Sequence, residues 1–287
     1  MAKFDLKGKT VVITGASGGL GGLAAKAFAG RGAKIVLSAR NKDILEKVAA
    51  DLRNSGAEAH VVPADVTRMD EVQALVDKAI ELTGRLDVMV LGAGFAILGE
   101  AENIPLDLFR REMDVNFWGV MHGFYAALPQ FKKQGHGQYI IVNSLSGKIS
   151  MLLFSAYCAS KFALWGFADA ARTELRRKNI DIICVYPGPL KNQFQANMVS
   201  PDYVIPEDMA WKLRGDDPAK VAEKIVKASE DRKPEKIFTG WGNFCARFLP
   251  MSHHLSEGFR KISFRFSRIY IKPKEEALAN NRPGPKI

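Results

Sequence analysis

The strongest constraint on this chain's fold is a repeating rhythm. Short runs of β-branched and apolar residues alternate with longer amphipathic stretches: TVVIT at 10–14, KIVLSA at 34–39, AHVVP at 59–63, DVMVL at 87–91, QYIIV at 138–142, DIICV at 181–185 and KIFTG at 236–240. Strands that read as unbroken apolar runs are covered on both faces, and strands separated by helices lie parallel. The prediction is an α/β fold, a doubly wound and mostly parallel seven-stranded sheet with helices on both sides. Two of the connecting helices can be read directly. Ile44, Leu45, Val48 and Leu52 form a stripe in 41–54, and Val72, Leu75, Val76 and Ala79 form one in 68–82, with Gly56 and Gly84 as stop signals. The rhythm breaks at 187–217 and again after Gly240. One domain is therefore expected over 1–240 with a lid at 187–217, followed by an extension over 241–287 that is partly helical and loose at its end.

With 287 residues, 47% of them hydrophobic, the chain can build one large core. The opening MAKFDLKGK leaves no room for the apolar centre of a secretion signal, and no run is long enough to span a membrane, so a soluble, cytoplasmic protein is expected. Cys158, Cys184 and Cys245 have no CxxC or metal-ligand spacing and read as small core residues, with neither a disulfide nor a metal expected. The net charge of +10 gathers near the C-terminus, and no nucleic-acid partner is expected.

TGASGGLG, at 14–21, follows the first strand directly. Glycines there allow main-chain N–H groups to approach a ligand, and the helix that follows turns its positive end to the same place, an arrangement that suits a pyrophosphate. A tight strand-to-helix turn explains the same glycines, although the position between strand and helix favours the phosphate reading. The second strand ends VLSAR. An acidic residue there would hold the ribose 2′-hydroxyl of NAD, whereas Arg40 suits the 2′-phosphate of NADP(H), the expected cofactor. A solvated surface arginine is the competing explanation.

Together these features resemble the short-chain dehydrogenase/reductase family. TGASGGLG is similar to that family's TGxxxGxG, Asp65 and Val66 to its adenine-side pair, Asn116 in NFWG to its NxxG, and YCASK, Tyr157 to Lys161, to its YxxxK. Ser144 stands thirteen residues before Tyr157, and Pro187 and Gly188 match the PG after the sixth strand. The resemblance implies a catalytic set of Asn116, Ser144, Tyr157 and Lys161. It also implies that Gly15, Ser17, Gly19, Leu20, Gly21, Arg40, Asp65, Val66, Ala93, Gly94, Pro187, Gly188, Leu190 and Asn192 hold the cofactor, with Tyr157 and Lys161 touching it too. In that scheme Tyr157 protonates a carbonyl oxygen, Ser144 steadies the developing charge, Lys161 orients the ribose and Asn116 holds a proton-supplying water chain. Residues four apart share a helix face, so Lys161 is expected to lower the Tyr157 pKa. Three departures stand out: LGAG replaces NNAG at 91–94, Asn192 replaces a threonine, and Asn143 replaces a serine.

The loops expected to line the substrate pocket are apolar: Phe95, Ile97 and Leu98; Met151, Leu152, Leu153 and Phe154; and Phe194, Met198, Tyr203, Ile205, Met209, Trp211 and Leu213. A lipophilic ketone such as a steroid or ketosphingoid fits them, as does packing of these side chains against one another or a second subunit. In the tail, Phe259, Ile262, Phe266 and Ile269 alternate with Arg260, Lys261, Arg265 and Arg268, a face suited to an anionic membrane surface, to the domain itself or to another subunit. The leading expectation is an NADPH-dependent reductase of a hydrophobic ketone, and the resemblance implies a homodimer or homotetramer. Reduction of 3-oxoacyl carrier-protein or CoA thioesters is the alternative among enzymes. A non-catalytic NADP sensor or membrane-associated binding protein is the alternative outside them.

Overall fold

The computed structural model describes residues 3–191, 194, 198–204 and 215–237, together with the main chain of a short strand at Lys272–Pro273. Asn192, Ile205, Met209, Trp211, Leu213, Cys245 and the Phe259, Ile262, Phe266 and Ile269 face of the expected extension lie outside the described residues.

Each predicted run forms a strand, with bounds that move by a residue or two, except that of the last run, 236–240, only the first two residues are described. The strands are β1 (Thr10–Thr14), β2 (Lys34–Ser38), β3 (Ala59–Val61), β4 (Val88–Leu91), β5 (Gly137–Val142), β6 (Ile180–Tyr186), β7 (Tyr203–Val204), β8 (Glu235–Ile237) and β9 (Lys272–Pro273). All but β7 and β9 form one seven-stranded sheet in the order β3-β2-β1-β4-β5-β6-β8, every pair parallel. The short β7 and β9 pair antiparallel with each other. The helices are α1 (Gly19–Ala29), α2 (Lys42–Asn54), α3 (Met69–Thr83), α4 (Leu106–Met113), α5 (Gly119–Gln134), α6 (Ser155–Arg176) and α7 (Pro218–Glu230).

Two cores follow from the period-two alternation of the strands. Val11 and Ile13 of β1 point into one core with Phe28 of α1, Leu45 and Leu52 of α2 and Ile225 of α7. Val12 points the other way, into a core with Leu75 of α3, Phe124 of α5 and Leu164 of α6. The predicted stripe on α3 is fully buried at Val72, Leu75, Val76 and Ala79. The stripe on α2 needs correction: Leu45 and Leu52 are buried, but Ile44 is 40% exposed. Asn41 caps α2 by accepting a hydrogen bond from the Ile44 N–H at 3.1 Å, which places position 44 in the solvent-facing first turn.

The chain leaves β1 towards α1 and β3 on one side and enters β4 from the other. The helices reached from β1 and β4 lie on opposite faces of the sheet, α1 in the first core and α5 in the second, and the strand order reverses between them, the place where an open sheet of this kind holds a ligand.

Candidate active site

The turn after β1 begins at Gly15, whose φ of 73° lies in the left-handed region. A Cβ at Gly15 would also lie 2.8 Å from the Ala93 backbone, so the turns after β1 and β4 touch main chain to main chain. Ser17, Gly19, Leu20 and Gly21 continue the turn into α1, whose first turn has no acidic residue. A side-chain-free cradle beside a helix N-terminus fits an anionic pyrophosphate. Across it lie Ala93 and Gly94, reached from β4. The amide missing from LGAG has a local substitute, because the Thr14 hydroxyl accepts from Gly92 N at 3.1 Å and donates to Val90 O at 3.3 Å.

Arg40 is exposed at the end of β2. Burial would raise the Asp65 carboxyl, but hydrogen bonds from Thr67 N and Oγ1, at 2.9 and 2.8 Å, and the charges of Arg40 and Arg68 hold it below its ordinary range. Val66 is buried, and its carbonyl accepts from His122 Nδ1 at 2.8 Å. Beyond β6, Pro187 O accepts from Leu145 N at 2.9 Å, Gly188 follows, and Leu190 pairs with Asp216.

Three elements bring the expected catalytic set together. Ser144 follows β5 and accepts from Ser146 N at 3.1 Å, while Tyr157 and Lys161 share one face of α6, buried at 8% and 4% exposure. Lys161 Nζ lies 5.5 Å from the centre of the Tyr157 ring and donates to Val142 O at 3.2 Å. The rings of Phe154 and Phe194 flank Tyr157 at 6.1 and 6.2 Å.

Asn116 sits in a π-helical turn, Asp114–Trp118, between α4 and α5. Its Oδ1 accepts from Phe95 N at 3.0 Å, and its Nδ2 donates to Phe95 O at 2.9 Å and Ser160 Oγ at 3.1 Å. The asparagine thus clamps the chain leaving β4 onto α6. Asn143 holds the other side: its Oδ1 accepts from Ser144 N at 2.8 Å, and its Nδ2 donates to Lys161 O at 3.1 Å.

Two expectations change. Burial pushes the Tyr157 phenol well above its ordinary pKa, with the hydrogen bond to Ser144 opposing the rise and the charge of Glu112 adding to it. The expected lowering by Lys161 is not found: burial dominates at Tyr157, and it also drives the Lys161 ammonium down, to about 8, against the pull of Glu112. Secondly, Ile97 and Leu98 are wholly buried and belong to the core; Phe95, Met151, Leu152, Leu153, Phe154, Phe194, Met198 and Tyr203 are only partly covered.

One site residue escaped the sequence. Glu112, on α4, is completely buried beside Asn116. Its place in LDLFRREM, among charged neighbours, reads as a solvated face; its one available signal is that it lies four residues before Asn116, on the same helix side.

A parallel sheet in this order, with a glycine turn at its first crossover, is a Rossmann-type dinucleotide fold. The chain belongs to the short-chain dehydrogenase/reductase family, since that family's model, described as short chain dehydrogenase, matches residues 9–202. The family comprises oxidoreductases that use NAD(P)(H). The uncharacterized oxidoreductase YxnA of Bacillus subtilis is 32% identical over 231 residues, a match that covers 79% of this chain and 64% of that protein. Dehydrogenase/reductase SDR family member 7B of Xenopus tropicalis is 30% identical over 244 residues, covering 82% of this chain and 78% of that one. A Burkholderia phymatum family member crystallised with NAD shares the fold at a TM-score of 0.79 and 24% identity, over 88% of this chain and 96% of that one. An alcohol dehydrogenase from Thermococcus sibiricus, complexed with 5-hydroxy-NADP, superposes with a TM-score of 0.70 at 25% identity, over 80% of this chain and 95% of that one.

Proposed function

We propose that the protein reduces a ketone to a secondary alcohol, or oxidises the alcohol in reverse, on a hydrophobic lipid- or steroid-like substrate with NADP(H). The observation that carries this reading is the buried pair of Tyr157 and Lys161 on one face of α6, with Lys161 Nζ 5.5 Å from the centre of the ring and Ser144 opposing the rise of the phenol's pKa. The bound dinucleotide would supply the hydride. Tyr157 gives its hydroxyl proton to the carbonyl oxygen, and Ser144 donates a hydrogen bond to that oxygen as charge grows on it. Lys161 returns a proton to Tyr157 and holds the ribose. Asn116 keeps the backbone of Phe95 in place beside them, with the bonds at 3.0 and 2.9 Å already described. A phenol whose pKa is raised by burial stays protonated in the resting site, ready to act as an acid in the reductive direction.

Gly15, Ser17, Gly19, Leu20 and Gly21 would cradle the pyrophosphate, and Asp65, Val66, Ala93, Gly94, Pro187, Gly188 and Leu190 would line the rest of the cofactor. Exposed Arg40 supports the preference for the 2′-phosphate. The partly covered Met151, Leu152, Leu153, Phe154 and Phe194 around Tyr157 support an apolar substrate. Trp118 and Tyr125, 51% and 58% exposed and seven residues apart along the α5 side, support association with a second copy of the chain.

The test is NADPH consumption against a panel of lipid ketones and oxoacyl thioesters. Tyr157→Phe is expected to lower kcat by about a hundredfold or more while cofactor still binds; full turnover in a folded Y157F protein overturns the reading. Arg40→Glu is expected to weaken NADPH binding about tenfold or more and to leave NADH binding unchanged, measured by cofactor fluorescence.

A further inference from the structure

Lys148 closes the short turn that carries Ser144, and its ammonium is held in a cage outside the catalytic set. The side chain is only 14% exposed. Its Nζ lies 4.5 Å from the centre of the Trp165 ring and 4.8 Å from that of Tyr186, and it donates to both oxygens of Glu235, at 2.9 and 3.2 Å. The Tyr186 hydroxyl donates to Glu235 Oε1 at 3.1 Å, and Arg172 Nη2 stands 4.0 Å from the same oxygen. A lysine ordinarily extends its ammonium into water; one enclosed by two aromatic faces and a carboxylate has exchanged hydration for fixed contacts. The cage joins three elements, because Trp165 lies on α6, Tyr186 ends β6 and Glu235 opens β8.

Hydrogen bonds carry that hold back to Ser144. Leu145–Gly147 form a single 3-10 turn in which Gly147 N donates to Ser144 O and Lys148 N to Leu145 O, both at 2.9 Å. At the other end Leu145 N donates to the carbonyl of Pro187, the residue after Tyr186, so the turn is clipped to the end of β6 on both sides. Ser146 N, in the middle of it, donates to Ser144 Oγ at 3.1 Å. An N–H that occupies a lone pair of this hydroxyl leaves its proton for another acceptor.

The structure assigns Lys148 as a positioning residue for Ser144. This rests on the reading of Ser144 as the hydrogen-bond donor to the substrate's carbonyl oxygen. A donor helps most when it already stands where charge will grow, since nothing then has to reorganise as the reaction proceeds. The caged ammonium fixes the far end of the turn against α6, the helix that carries Tyr157, and thereby holds the Ser146 N–H on Ser144 Oγ. Without the charge, Glu235 keeps only Tyr186 and Arg172, and the end of the turn is released from β8. Lys148 touches no reacting atom and acts through Ser144.

Lys148→Met in the full chain fills the space between the two rings and removes the charge. K148M is expected to lower kcat about tenfold or more while KM and cofactor affinity hold, because the contact it weakens strengthens only in the transition state. In an S144A background the same substitution is expected to change kcat less than about twofold, since no hydroxyl is left to place. Hydrogen exchange adds a readout independent of turnover: the amides of Ser146, Gly147, Lys148 and Ile149 should exchange faster in K148M, and those of β1 and β4 should not. Wild-type kcat in a folded K148M protein, an equal loss in both backgrounds, or unaltered exchange over 146–149 each overturns the inference. Should K148M not fold, Glu235→Gln loosens the cage from the other side. A severalfold loss of kcat that disappears in the S144A background is then expected, and no loss, or one undiminished by S144A, overturns the inference equally. The underlying reading fails separately: S144A with full turnover removes the role of Ser144 and the inference with it, whereas a crippled S144A beside a fully active K148M removes the role of Lys148 alone.

Discussion

At the residue scale, the site depends on how little room is left around Asn116. A Cβ on Gly94 would lie 2.9 Å from Asn116 Oδ1 and 3.7 Å from Lys161 Nζ. Gly94→Ala is therefore expected to push the Asn116 amide off the Phe95 backbone. The variant should lose about 1–3 kcal/mol of stability through overpacking and a disproportionate share of kcat, to be measured by denaturant melts alongside turnover. Wild-type kcat in this variant would show that the clamp tolerates displacement. Much of this neighbourhood was legible in the sequence. Tyr157 and Lys161 announce themselves because polar groups four apart on an otherwise apolar helix need a reason to be buried together. Glu112 does not, because its neighbours Arg110 and Arg111 make the whole turn look solvated, and only the packing of α4 against α6 selects one of the three for burial.

At the scale of elements, the strand starts carry as much charge chemistry as the strand ends. Asp87 immediately precedes β4, is fully buried, and accepts from Thr10 N at 2.9 Å, from Arg85 at 2.6 Å through each oxygen, and pairs with His136 Nε2 at 3.0 Å. Burial alone would raise this carboxyl, but Arg85, the Thr10 N–H and His136 together hold it below its ordinary range. A depressed folded-state pKa adds stability above the ordinary carboxylate value, and that stability is lost as pH falls through the folded value. Asp87→Ala is expected to cost about 1–3 kcal/mol at neutral pH by leaving Thr10 N without its acceptor, and the gap to wild type should close on acidification. Melts over a pH series would expose the error if the gap stayed constant. The strands themselves were legible because each is an unbroken apolar run. The π-helical turn at Asp114–Trp118 was not, because the extra residue it accommodates leaves no compositional trace and is fixed only when Asn116 reaches the Phe95 backbone.

At the scale of the whole molecule, one aromatic surface stands apart from both cores. Trp118 and Tyr125 project from the outer side of α5 and the turn before it, 51% and 58% exposed, although their neighbours Phe124 and Val120 are buried. Replacing both by serine is expected to shift an assembled species towards monomer in sedimentation while leaving the melting temperature of the subunit nearly unchanged; an unaltered mass would assign the surface to something else. The doubly wound parallel sheet could be anticipated from the rhythm of strands and helices, whereas the lid expected over 187–217 was read from apolar composition alone, because loops carry no periodic signal. The bare contact of Gly15 with the backbone of Ala93 has a consequence for assembly. Those two turns are far apart along the chain and meet only once the centre of the sheet has zipped shut. The ability to grip a dinucleotide therefore reports that the pairing of β1 with β4 at the centre of the sheet has formed.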